Sequence, residues 1–89
     1  MEKYVVIGGQ YQAYEYGVYY SLHAAKIAAT KAIEYWDNWQ GWHYPVIYRM
    51  EDTAPGTNFY GEQEHLPQPW SKPYMIRRYG DKWRYNECY

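Results

Sequence analysis

The sequence holds one cysteine, one phenylalanine and no apolar run longer than four residues, and each scarcity excludes something. A lone Cys88 excludes an internal disulfide and any cysteine-cluster metal site, and it suits a reducing compartment. Glu2 and Lys3 precede only the short run Tyr4 to Ile7, so neither a secretory leader nor a membrane span is expected. His23, His43 and His65 are scattered, with no partner at i+3 or i+4 and no cysteine near, so no metal site and no cofactor are expected. There is no Ser-His-Asp order, nucleophile elbow, P-loop or GxGxxG. Gly8-Gly9 follows a strand but lacks the remaining glycines and an immediate helix. The acids Glu51, Asp52, Glu62 and Glu64 show no calcium-loop spacing and read as a solvated segment. The expectation is a protein with no catalytic residues, not an enzyme.

Net charge is also nearly absent, at −1, which argues against a polycation or a polyanion as a whole. The distribution is uneven, however. Residues 1–71 carry four Lys/Arg against eight Asp/Glu, whereas residues 72–89 carry five against two. An acidic body thus precedes a basic C-terminal segment.

Tyrosine is what the chain has in excess: 14 Tyr and 5 Trp, with aromatics at 22% of the residues, and yet a mean hydropathy of −0.86. Rings with a polar tip tolerate half-buried positions. Eighty-nine residues make one domain, 1–89, that buries only ~60–65% of its unfolded surface. One helix and a small sheet cannot hide nineteen such rings, so some complete the core and others are left for binding.

The chain is organised around Ser21 to Trp42. On a wheel of about 3.6 residues per turn, Leu22, Ala25, Ala28, Ala29, Ala32, Ile33, Tyr35 and Trp36 share an arc of roughly 160°. Lys26, Thr30, Lys31, Glu34 and Asp37 lie opposite. Ser21 suits an N-cap and Gly41 a C′ position, which predicts one amphipathic helix over about 21–40. Its mostly alanine face lets it sit close to a sheet. Ile27 is the misfit on the polar side.

Tyr4-Val5-Val6-Ile7 predicts a buried strand, broken at Gly8-Gly9. Tyr11 to Tyr16 alternates as a second strand closed by Gly17; a rival register runs one bulged strand to about Tyr14 and turns at Gly17 onto Val18 to Tyr20. Both registers stay open. Pro45 to Met50 predicts a third strand. Residues 51–73, with Pro55, Pro67, Pro69 and Pro73, read as a long Pro-rich acidic loop, partly packed down through Phe59-Tyr60, Leu66 and Trp70. Tyr74 to Tyr79 and Lys82 to Tyr85, joined at Gly80-Asp81, form a second hairpin candidate. The fold class expected is α+β: a small antiparallel sheet of three to five strands packed on one helix.

Two surfaces are candidates for binding. Trp36, Trp39 and Trp42 recur every three residues; Trp36 falls on the buried arc, whereas Trp39 and Trp42 either anchor a partner or cap the core. In the hairpin at 74–85, Arg77, Arg78, Lys82 and Arg84 interleave with Tyr74, Tyr79, Trp83 and Tyr85. Cations and rings in alternation are a format for single-stranded nucleic acid, and equally a solvated sheet face with cation–π contacts.

The order YVVIGG, a Tyr-rich strand, SLHAAKIAATKA and WDNWQGWHYPVIYRMEDT, with its "SL..AK..A" helix and "P.IY...D" strand, resembles small accessory proteins of tailed bacteriophages over residues 4–53. The resemblance carries no activity and no site residue. It implies the cytoplasm of a bacterial host cell and stoichiometric binding to a host or defence protein. The leading expectation is therefore a non-enzymatic binding protein whose contacts draw on Trp39, Trp42, Arg77, Arg78, Lys82, Trp83 and Arg84. The alternatives are a nucleic-acid module built on the hairpin and a protein that sequesters a small nucleotide between rings. A homodimer paired through a short edge strand is a further option.

Overall fold

The computed structural model describes residues 2–9, 14–35, 43–57, 61–77 and 82–87. The fold is α+β. Strands β1 (Tyr4–Gly9) and β2 (Tyr14–Tyr19) pair antiparallel, and helix α1 (Leu22–Tyr35) crosses over to β3 (His43–Arg49) on the other flank of β1. A 3-10 turn, Met50–Asp52, leads into β4 (Thr53–Thr57), which pairs with β5 (Gln63–Pro67) as a separate two-stranded ribbon. Short strands β6 (Met75–Ile76) and β7 (Arg84–Tyr85) then extend the main sheet to the order β2-β1-β3-β6-β7.

The helix starts where the sequence places it. Ser21 Oγ accepts from Ala24 N at 3.1 Å, the N-cap bond, and Ser21 O takes Ala25 N as the first helical bond. Ala25, Ala29 and Ile33 are buried, at one- and two-turn spacing along a single stripe, while Ile27 stands 45% exposed on the far side. The alanines lie against Val6, Ile47 and Met75, one from each of three neighbouring strands. Val6 faces Ile47 and Ile47 faces Met75 in register, so the three side chains share the helix-facing side of the sheet. Val5 and Ile7 are buried as well, so β1 is covered on both faces. That is why its sequence reads as a continuous apolar run rather than an alternation.

Three expectations are corrected. Gly17 does not close β2; the strand runs through it to Tyr19, and neither register considered from sequence is the one observed. Val6 opposes Gly17 and Ile7 opposes Glu15, which leaves Tyr16 as the extra residue of a β-bulge. The glycine serves packing: a Cβ there would lie 2.7 Å from the Tyr19 hydroxyl, whose ring leans over it. Residues 51–73 are not one long loop but contain the β4–β5 ribbon, in which Pro55 stands opposite His65. A two-stranded ribbon has two outer edges, where a residue without an N–H breaks no ladder bond. The 74–85 hairpin pairs as expected, but over two residues per strand. Of the expected helix, residues 36–40 lie outside the described residues, as does Gly41.

Candidate binding surface

The end of the sheet beside the start of α1 carries a row of rings around one cation. Register sets Tyr19 and Arg49 on either side of Tyr4. Tyr4 points to the same side as Val6, so the row lies on the helix-facing side of the sheet. Tyr74 extends it: its ring stacks on Tyr4 at 6.1 Å and 29°, and meets Tyr85 edge-on at 5.3 Å and 77°. Backbone bonds fix Tyr74, whose N–H donates to Ile47 O at 2.8 Å while its carbonyl accepts from Asn86 N at 3.0 Å.

Arg49 lies over the Tyr74 ring, 5.5 Å from its centroid. Its guanidinium pairs with Glu2 and, at 2.8 Å, with Glu51. The Tyr4 hydroxyl donates to the other Glu2 oxygen at 2.9 Å. That hydrogen bond to the carboxylate is the main cause that raises the Tyr4 phenol above its ordinary value, with burial adding to it. Burial is the main cause for Tyr74, aided by neighbouring Tyr85 and opposed by Arg49. Both phenols therefore stay neutral donors through the physiological range. Next to this cluster an open depression of about 360 Å³ is lined by Glu2, Lys3, Arg49, Met50 and Glu51. Lys3 in turn lies over the ring of Tyr20, 5.4 Å from its centroid, and Tyr20 is 66% exposed.

The second cluster ties the ribbon to the sheet. The Glu15 carboxylate on β2 accepts from His65 Nδ1 on β5 at 2.9 Å, and the Glu15 backbone N–H donates to Glu64 Oε2 at 3.3 Å. Glu15 opposes Ile7, so this contact sits on the face away from the helix.

The residues expected to bind separate. Trp39, Trp42 and Arg78 lie outside the described residues. Trp83 is half-buried against the core, and its indole N–H donates to Thr30 Oγ1 on the helix at 3.0 Å. Arg77 reaches the same hydroxyl at 3.5 Å. Arg84 stands opposite Ile76 and is exposed, as is Lys82. Trp83 thus turns toward the helix with Arg77, and Arg84 to the other side of β7, so of the two cations only Arg77 shares a face with the indole, and there both are engaged by Thr30.

Trp70 was expected to pack down, and instead it is 76% exposed, the most exposed large apolar side chain among the described residues. It occupies, with Pro69, the centre of a turn closed by Ser71 N donating to Gln68 O at 2.9 Å. The signal for the turn was present as Pro69 followed by Trp70 and Ser71, since Pro is favoured at the second position of a turn. Leu66, by contrast, does pack, covering Gly56 across the ribbon.

Among the described residues no group of three or more His, Cys, Asp or Glu is placed to hold a metal ion, and no helix is long and apolar enough to cross a membrane. Comparison of the chain with protein-family models, curated proteins and solved structures returns no match.

Proposed function

We propose that this protein works by stoichiometric, non-enzymatic binding to another protein, and that it is a phage accessory protein whose target is a host or defence protein of the bacterial cell. The observation that carries the reading is where the rings lie. The core closes with Val5, Val6, Ile7, Ala25, Ala29, Ile33, Ile47 and Met75 and a single buried ring, Tyr4, among the described residues, while Trp70, Tyr20 and Tyr85 are left 76, 66 and 59% exposed. Trp and Tyr lead among side chains that anchor protein interfaces, because each buries a large face while keeping one polar atom for a hydrogen bond. The resemblance of residues 4–53 to phage accessory proteins supplies the class of target. Trp83 is packed against the core with its indole N–H on Thr30, and Arg84 lies on the other side of the hairpin, which weighs against base stacking on this ring with phosphate pairing beside it.

The test is an affinity pull-down from a bacterial lysate, with and without nuclease, read by mass spectrometry. A discrete protein, retained after nuclease and in a fixed ratio to the bait, is the expected result. Recovery of nucleic acid alone, or of proteins that vanish with nuclease, would overturn it and favour the basic hairpin.

A further inference from the structure

We infer that the β4–β5 ribbon guards the outer edge of β2, and that a second copy of this chain pairs with that edge once the guard is lifted; the inference does not depend on the binding reading above. Among the described residues the main sheet ends at β2 on one flank and at β7 on the other. Strand β7 is two residues long, too short to template a partner, whereas β2 runs for six, Tyr14–Tyr19. An open edge of that length ordinarily carries lysine or proline to discourage pairing. The stretch YEYGVY has neither, and its tyrosines and valine favour strand pairing. What β2 itself supplies against pairing is the bulge at Tyr16 and the charge of Glu15.

The ribbon supplies the rest. The N–H groups of a strand lie in the plane of the sheet and point alternately to its two flanks. The Glu15 N–H goes to the Glu64 carboxylate at 3.3 Å and not to β1, so it points to the open flank. The Glu15 side chain, on the face away from the helix, meets His65 Nδ1 at 2.9 Å. Glu64 therefore caps the rim while its neighbour His65 clasps the face, and β5 bends round the corner of the sheet. Yet β5 lies against β2 without a ladder to it, because the ribbon is a separate sheet. Side chains cover this edge, and the backbone beneath them is able to pair when they leave. The ribbon keeps its own ladder of five residue pairs, so it can move as a unit, and the His65 side chain is 39% accessible, so water competes for the clasp. A second copy is the occupant that fits, because it brings the same six-residue edge. Two identical edges laid antiparallel across a two-fold axis donate and accept at equivalent positions.

The test uses the whole purified chain. Glu64→Ala with His65→Ala removes both the rim cap and the face clasp. Sedimentation over a dilution series should keep the wild type at the 10.8 kDa monomer and carry the variant to twice that mass as concentration rises. In dilute, monomeric samples the variant's Glu15 amide should exchange with deuterium at least about tenfold faster than in the wild type. Protection should return in the dimer, where mixed labelled and unlabelled copies should show nuclear Overhauser contacts from β2 to β2. Glu64→Gln with His65→Asn, which keeps an acceptor and a donor in place, should stay monomeric. The Trp83 indole signal reports the main fold; where the double variant loses it, Glu64→Ala alone is read in the same way. Unchanged Glu15 exchange would overturn the guard, and faster exchange in a variant that stays monomeric would overturn the self-pairing edge. A dimer joined at another surface, or a wild type that pairs through β2 with the ribbon still in place, would overturn the inference as a whole.

Discussion

Thr30 is a helix hydroxyl to which the C-terminal segment bonds twice, so Thr30→Val tests how the hairpin is docked. Its Oγ1 accepts from the indole N–H of Trp83 at 3.0 Å and from an Arg77 N–H at 3.5 Å. Valine keeps the shape and the branched Cβ, and its helix propensity is close to that of threonine, so the substitution removes the acceptor and little else. The Arg77 contact is at the limit of hydrogen-bond length and contributes little. The Trp83 bond is a neutral one whose net worth is about 1 kcal/mol. Because Trp83 is half-buried, water can reach part of the released donor, which keeps the cost near that value. In a domain of this size that corresponds to a fall in Tm of roughly 4–8 °C. A nitrogen–proton correlation spectrum resolves the indole N–H groups of the five tryptophans, and the Trp83 signal should move toward the water-bonded position. Thr30→Ser should return both the signal and the stability. An unmoved indole signal with unchanged stability would refute the docking. A loss above about 3 kcal/mol would refute the reasoning differently, because it would require a fully desolvated donor.

Three further outcomes follow from the same geometry. Ser21→Ala removes the N-cap acceptor of Ala24 N and should cost about 1 kcal/mol in a urea titration, whereas Ser21→Asp should cost little; equal losses for both would mean that the cap bond is not what matters. Ile47 is fully buried between β1, β6 and the helix, so Ile47→Ala should cost about 2–5 kcal/mol and Ile47→Val about 0.5–1.5 kcal/mol, and a midpoint unchanged by either would place the core elsewhere. Tyr4, Tyr48 and Tyr74 hold their phenol protons more tightly folded than unfolded, where the ordinary value is 10.0. The folded state therefore binds more protons above that pH. The stability these groups contribute is complete below it and is lost as pH rises through their folded values. Phenolate absorbance should show a late fraction that ionises together with unfolding; a single step near the ordinary value with the fold intact would contradict this.

Local signals strong enough to be read from sequence are those in which one element decides its own geometry. Ser21 and the stripe Ala25, Ala29, Ile33 specify where α1 begins and which side it buries, because cap chemistry and helical period act within a few residues. The β-branched run of β1 behaves likewise. Gly17 and Pro55 misled for a common reason: each residue type usually punctuates a chain, and each is here inside a strand because of a neighbour that sequence does not place. Gly17 makes room for the Tyr19 ring, and Pro55 lies in a ribbon with no third strand to need its donor. Pro45 is a parallel case, buried within β3 where the register with β1 slips between Ile7 and Gly9.

The ring-and-cation cluster was less legible because it is made by register. Glu2, Tyr4, Arg49, Tyr74 and Tyr85 come from four segments and meet only once β1, β3 and the C-terminal hairpin are side by side. No spacing along the chain encodes that meeting. The alternation of rings and cations from Lys82 to Tyr85 was visible, but alternation on a strand assigns successive side chains to opposite faces, and here one face is claimed by the helix. Trp83 is thereby drawn into the fold by Thr30, and an indole that sequence offers for binding becomes part of the structure. The exchange runs the other way at Trp70. Its turn is fastened to Asp52 by residues that bracket it, so the backbone that could have folded the ring down is already committed. Which aromatic is structural and which is presented thus depends on where the nearest acceptor sits: on a helix facing inward for Trp83, on a peripheral turn for Trp70. This is the physical reason that a tyrosine- and tryptophan-rich sequence discloses its excess of rings before it discloses which of them the fold leaves exposed.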